Sequence, residues 1–184
     1  MAFGQLSVKG RALRYLAQRE HSRHELQAKL WRHAARQASN QLLGDAQGPT
    51  EAEARAQIEA ALDELASHGL LSDERAAASV LRTQGPRSGA RRIKQSLQAK
   101  GLSADLVAST VAQARSTELA RAQAVWQRRY GQAAATPQER AKQMRFLAGR
   151  GFEGDVIRRV VQGGGAADEG DEGHGPDAQS DPEG

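Results

Sequence analysis

The chain contains no cysteine, which excludes disulfides, thiolate metal sites and cysteine nucleophiles and agrees with a reducing compartment. Aromatic residues fill only 4% of its 184 positions and apolar residues 39%, and the mean hydropathy is −0.66. That is little material for one deep interior, and thin cores between short helices suit it better. No apolar run reaches the length of a membrane span, and the opening MAFGQLSVKGR lacks the apolar segment of a secretory signal. A cytoplasmic protein with no membrane partner is expected.

Basic residues are missing from one end. The segment Gly163–Gly184 holds Asp168, Glu169, Asp171, Glu172, Asp177, Asp181 and Glu183 but no Lys or Arg. Its composition is too polar, acidic and glycine-rich to fold, so 163–184 is expected to be a disordered acidic tail. Setting its 7 acids aside leaves 15 acidic against 26 basic residues, so the body to Gln162 carries +11 and the tail −7. A body of that charge implies a polyanionic partner, nucleic acid or a nucleoprotein, or an acidic protein surface.

What the sequence does contain is helix punctuation. In Leu62–Val107, apolar-periodic segments end at Gly69 and Gly101, each with a leucine behind it, and Ser72 and Ser103 open the segments that follow. A helix end favours a residue tolerant of the left-handed conformation, and a helix start favours a side-chain oxygen for its free N–H groups. Short helices joined by tight turns follow. Upstream, Val8, Ala12, Tyr15 and Leu16 mark a first helix, Ser22 with Glu25 forms a capping box, and Thr50 opens a helix to about His68. The stretch 36–50 reads as an exposed loop. Downstream, helices are expected from Ser103, from Ser116 with Trp126 in its core, from the Thr136-Pro137-Gln138-Glu139 box, and over Asp155–Gln162.

The chain also echoes itself. Leu97, Gly101, Leu102, Asp105, Leu106, Val107 and Val111 return fifty residues later as Leu147, Gly151, Phe152, Asp155, Val156, Ile157 and Val161. The expected fold is therefore all-α, with about nine helices in three tandem helix-turn-helix-like repeats at 1–71, 72–115 and 116–162. Two or three short helices cannot cover their own apolar face, so neighbouring repeats must stack.

No catalytic constellation is present. A phosphate-binding loop and a nucleophile elbow are both missing, and no cofactor or metal is expected. His21 and His24 could ligate zinc, but they flank a helix start whose Ser22 and Glu25 have capping roles, and no third ligand stands by. The protein is expected not to be an enzyme. The cations look more purposeful: Arg87, Arg91, Arg92, Lys94 and Lys100 crowd one turn and the next helix, Arg128 and Arg129 follow, then Arg140, Lys142 and Arg145. Stacked repeats would bring these onto a common strip able to grip phosphates, where guanidinium groups can bond with two prongs. The same pattern also suits a solvated, Arg-rich helical surface.

The segments ALRYLAQREHSRHELQAKL, LDELASHGLLSDERAAASVLRTQ, ARRIKQSLQAKGLSADLV and RFLAGRGFEGDVIRRVV, in this order, resemble the RecX family, bacterial regulators of the RecA recombinase. The likeness spans about Val8–Val161. It implies three three-helix repeats in a curved, elongated monomer lying in the groove of the RecA–DNA filament. It further implies inhibition of RecA activity in DNA repair, recombination and the SOS response, with weak, sequence-independent binding of single- and double-stranded DNA. Two positions depart from the family: Ala76 stands where a phenylalanine is usual, and Ser88 where an aromatic is common. A stand-alone helix-turn-helix DNA-binding protein is the alternative from another class.

Overall fold

A computed structural model of the protein describes residues 6–41 and 49–163. The described residues form α1 (Val8–Leu16), α2 (Arg23–Gln41), α3 (Glu51–Ser67), α4 (Asp73–Gln84), a 3-10 turn (Gly85–Arg87), α5 (Ala90–Ala99), α6 (Ala104–Ser116), α7 (Glu118–Arg129), α8 (Pro137–Gly149) and α9 (Gly154–Gly163). No strand occurs among them. The fold is all-α, as the punctuation implied.

Local chemistry accounts for the ends. Thr50 and Thr136 each accept from the N–H three residues on, and Glu53 and Glu139 reach back to the cap nitrogens. Ser22 and Glu25 make the same exchange at the start of α2. Gly101 and Gly151, at φ +68° and +81°, close α5 and α8 in the left-handed region. Two boundaries differ from expectation. The second helix runs through to Gln41, because 36–41 carries no breaker, so the expected loop is shorter; its remainder, like the expected tail beyond Gly163, lies outside the described residues. The helix expected to open at Ser116 begins at Glu118, because α6 runs through Ser116 and Thr117 alone, at φ −116°, separates the two.

Three apolar clusters form, one in each successive set of three helices. Leu26, Leu30, Ile58, Leu62 and Leu65 dominate the first, Ile93, Leu97, Val107 and Val111 the second, and Trp126, Leu147, Phe152 and Ile157 the third. The glycine-apolar turns matter here. Leu102 and Phe152 fold back under their own helix pairs, and burying a side chain such as Phe152 stabilises by about 1.5–3 kcal/mol. Ala76 is buried but small, and Leu81 packs against the second cluster. Trp126 belongs to the third core, its Nε1 donating to Gln143 Oε1 at 2.8 Å.

The sets are locked by a joint used twice. At the first, Asp73, the first residue of α4, accepts from the backbone N–H of Arg23, the first residue of α2, at 2.8 Å. At the second, Glu118, the first residue of α7, accepts from the N–H of Ala90, the first residue of α5, at 3.0 Å. Each acid thus caps the free end of a helix in the preceding set. The residue ending the later set's middle helix also contributes: Lys100 O accepts from Ser22 Oγ at 2.5 Å, and Arg150 O from Gly89 N at 3.0 Å. At the corresponding position of α8 stands Pro137, which has no N–H to offer.

Candidate nucleic-acid interface

Charge divides the chain into three blocks. Residues 1–75 hold 10 basic and 10 acidic side chains, residues 76–163 hold 16 and 5, and residues 164–184 hold none and 7. The net charges are therefore 0, +11 and −7.

Ion pairing sharpens the contrast. Lys9–Glu64, Arg19–Glu25, Arg23–Glu59, Arg23–Asp63, Arg55–Glu51 and Arg75–Glu20 join groups within residues 1–75. Beyond residue 76, Arg115 meets Glu153 at 3.5 Å and Lys100 reaches back to Glu25 at 2.6 Å. Among the described residues, Arg87, Arg91, Arg92, Lys94, Arg128, Arg129, Arg140, Lys142 and Arg145 are exposed and meet no carboxylate. Unpaired surface cations are what an incoming polyanion can neutralise while releasing its counterions.

The second joint gathers several of them. Phe152 N and the Gly151 carbonyl lie so close to Gly89 that any Cβ there would strike them. Arg91 N donates to Gly151 O at 3.1 Å, and a Cβ on Gly151 would fall 2.6 Å from that of Arg92. Arg92 Nη1 lies 3.4 Å from Gly149 O, and Arg150 Nη1 lies 3.4 Å from Arg87 O. The approach leaves a cleft of about 360 Å³ between α5 and α8, with Arg91 and Arg92 on one wall and Ala148 and Gly149 on the other. Helical spacing places Lys142 and Arg145 on the Gly149 side of α8 and Lys94 beside Arg91 on α5.

Not every expected residue joins this face. Lys100 is a correction: its side chain is only 15% exposed, and its ammonium serves Glu25 at the first joint. Its charge holds two helix sets together and is withdrawn from solvent. Arg128 lines a different hollow, with Arg82 and Pro86, between α7 and the 3-10 turn. Arg121, about two turns before Arg128 on the same basic helix, is spent internally. It donates to the carbonyls of Gly85, Ser88 and Ala114, fixing the turn that presents Arg87. Burial lowers its pKa.

Glu118 was missed by sequence reasoning, and His21, weighed there only as a metal ligand, has a different setting. Glu118 is only 2% exposed, and no local pattern marks an acid that acts across a joint. His21 is fully buried against Tyr15, with neither ring nitrogen hydrogen-bonded. Burial, reinforced by Arg19 and Lys29, lowers its pKa to about 4, so the imidazole is neutral. Among the described residues no cluster could hold a metal ion. Trp31 is half-buried on the first core, with the Arg55 guanidinium 5.6 Å from its ring centre.

Comparison with known proteins decides the relationship. Residues 72–111 match the family model described as the RecX second three-helix domain, and residues 116–161 the third. A regulatory protein RecX of Leptothrix cholodnii is 46% identical over 158 residues, which is 86% of this chain and 89% of that one. The chain belongs to the RecX family. A RecX of Ralstonia nicotianae is 42% identical, covering 91% of this chain and 94% of its own. The fold is also that of two solved proteins. RecX from Lactobacillus salivarius aligns with TM-score 0.61 at 20% identity, over 84% of this chain and 92% of that one. A second regulatory protein RecX aligns at 0.59 and 21%, over 84% and 70%. At such identities the likeness speaks to fold alone. No helix among the described residues is long and apolar enough to cross a membrane.

Proposed function

We propose that this RecX-family chain is a cytoplasmic, monomeric, non-enzymatic regulator of RecA, acting by lying along the RecA–DNA filament. The division of charge carries the reading: the first block is neutral overall and pairs many of its ions internally, while residues 76–163 carry +11 and present unpaired guanidinium and ammonium groups. Repeats at 1–71, 72–115 and 116–162, fixed to one another through the two joints, would hold those groups at set spacing along a regular polyanion. Weak contacts to several filament subunits then add, because each after the first is intramolecular. Occupancy of the groove hinders the subunit motions that accompany ATP turnover and excludes a second duplex.

The deciding experiment is ATP hydrolysis by RecA on single-stranded DNA with this protein titrated in. Inhibition far below one protein per RecA would mean blocked filament growth, and inhibition only near equivalence would mean groove coating. No effect at either ratio overturns the reading and leaves a stand-alone DNA-binding protein. That alternative would show sequence preference on naked DNA, whereas the filament reading expects weak binding without preference and with a steep salt slope.

A further inference from the structure

The block of −7 is unaccounted for by any of this. Residues 164–184 follow directly on α9, which packs against both α7 and α8. The nearest block in sequence carries +11, and its exposed cations on α5 and α8 have no carboxylate partner among the described residues. The first block offers no such opportunity, because its charges already cancel. A covalent segment of this length spans at most about 70 Å, ample to cross from the end of α9 to the cleft between α5 and α8. Attachment also gives it a millimolar-scale effective concentration, so each contact need contribute little.

We infer that the acidic segment 164–184 docks on the cationic cleft between α5 and α8 as an intramolecular occupant. It would contact Arg91 and Arg92 on one side and Lys142 and Arg145 on the other. Resting on the proposed function, a second consequence follows: an external polyanion must displace the segment, so the tail sets a threshold against stray nucleic acid. A dense filament offers enough phosphates and acidic groups to win this exchange, and short isolated strands do not. Salt weakens tail and competitor alike, so the threshold is a low-salt property.

Docking is tested without DNA. All three cores lie before Gly163, so the chain ending there retains its fold. A fluorescein-labelled peptide of residues 164–184 is titrated with that shortened chain and followed by anisotropy. Saturable binding is expected at about 20 mM salt, lost by about 300 mM. It should weaken at least about tenfold with Arg91→Glu, Lys142→Glu and Arg145→Glu together, but not with Arg14→Glu and Arg36→Glu on the first block. No saturable binding, or equal weakening by both sets, overturns the docking. Displacement is tested on the full chain with its seven tail acids changed to Asn and Gln, using fluorescein-labelled oligothymidylate. A gain in affinity of about tenfold or more at low salt is expected. An unchanged affinity overturns the threshold. Peptide binding with no DNA binding by either chain would uphold the docking and overturn the DNA reading instead.

Discussion

Glu118 Oε1 lies 3.0 Å from the backbone nitrogen of Ala90 and 3.1 Å from that of Glu153, so one buried carboxylate ties α7 to the helices on both sides. Its counterpart Asp73 makes one such bond, to Arg23, from a more open position. Of the Glu118 bonds, only that to Ala90 crosses the joint; the bond to Glu153 fastens α7 to the start of α9 within its own set.

Replacing Glu118 by alanine leaves two donors without an acceptor in a closed space. A loss of about 3 kcal/mol is expected, against about 1 kcal/mol for Asp73→Ala, where water can reach the freed N–H. Urea titration followed by helical circular dichroism measures both. Equal losses would mean that the two joints carry similar loads.

Two glycine-to-alanine changes should separate crowding from backbone conformation. At Gly89 the new Cβ meets the backbone of Gly151 and Phe152, and the cost should reach the upper end of the roughly 1–3 kcal/mol typical of overpacking. At Gly69 nothing lies within 4 Å, and only the left-handed φ of +67° is penalised, by about 1 kcal/mol. Thermal unfolding of the pair would show the order, and a reversed order would refute the close approach at the second joint.

Acid should loosen the first joint in two stages. The unfolded imidazole of His21 titrates near 6.5 but the folded one near 4, so the unfolded chain takes up the proton first. The stability tied to neutral His21 is complete above pH 6.5 and declines as pH falls toward 4. Burial alone would raise Glu25, but hydrogen bonds from Arg19 and Lys100 outweigh it and bring its pKa to about 2. Its contribution therefore persists above pH 4.5 and is lost only between 4.5 and 2. His21→Leu should remove the first stage and spare the second, read from urea midpoints between pH 7.5 and 3.

Arg91→Glu with Arg92→Glu should lower affinity for single-stranded DNA and for the filament by about tenfold or more at low salt. The helical circular-dichroism signal should stay intact, since Arg91 uses only its backbone at the joint and Arg92 adds one long bond to Gly149. Loss of helix would assign both arginines to structure.

Much of this architecture could be read from the sequence because it is decided locally. Capping at Thr50 and Thr136 and the glycine turns at 101 and 151 depend on residues within one turn of each other. The roles of Lys100 and Arg121 could not be read. Lys100 meets Glu25 across seventy-five positions, and Arg121 meets Gly85 across thirty-six, so their identity as cations on basic helices pointed outward while their partners turned them in. Glu118 was hidden for the same reason. An acid at a helix start ordinarily serves its own first turn, and nothing nearby reveals that this one serves α5.

Proline at 137 has a reach beyond its own helix. Where Arg23 and Ala90 offer a hydrogen to the next bundle, the pyrrolidine ring presents a blank wall, and Glu139 has already claimed the nitrogens of Ala135 and Thr136. A further acid placed like Asp73 or Glu118 would find no hydrogen to accept at that position. Head-to-tail growth into open fibres is the hazard of any stackable unit, and the donor that both joints use is lacking at the start of α8.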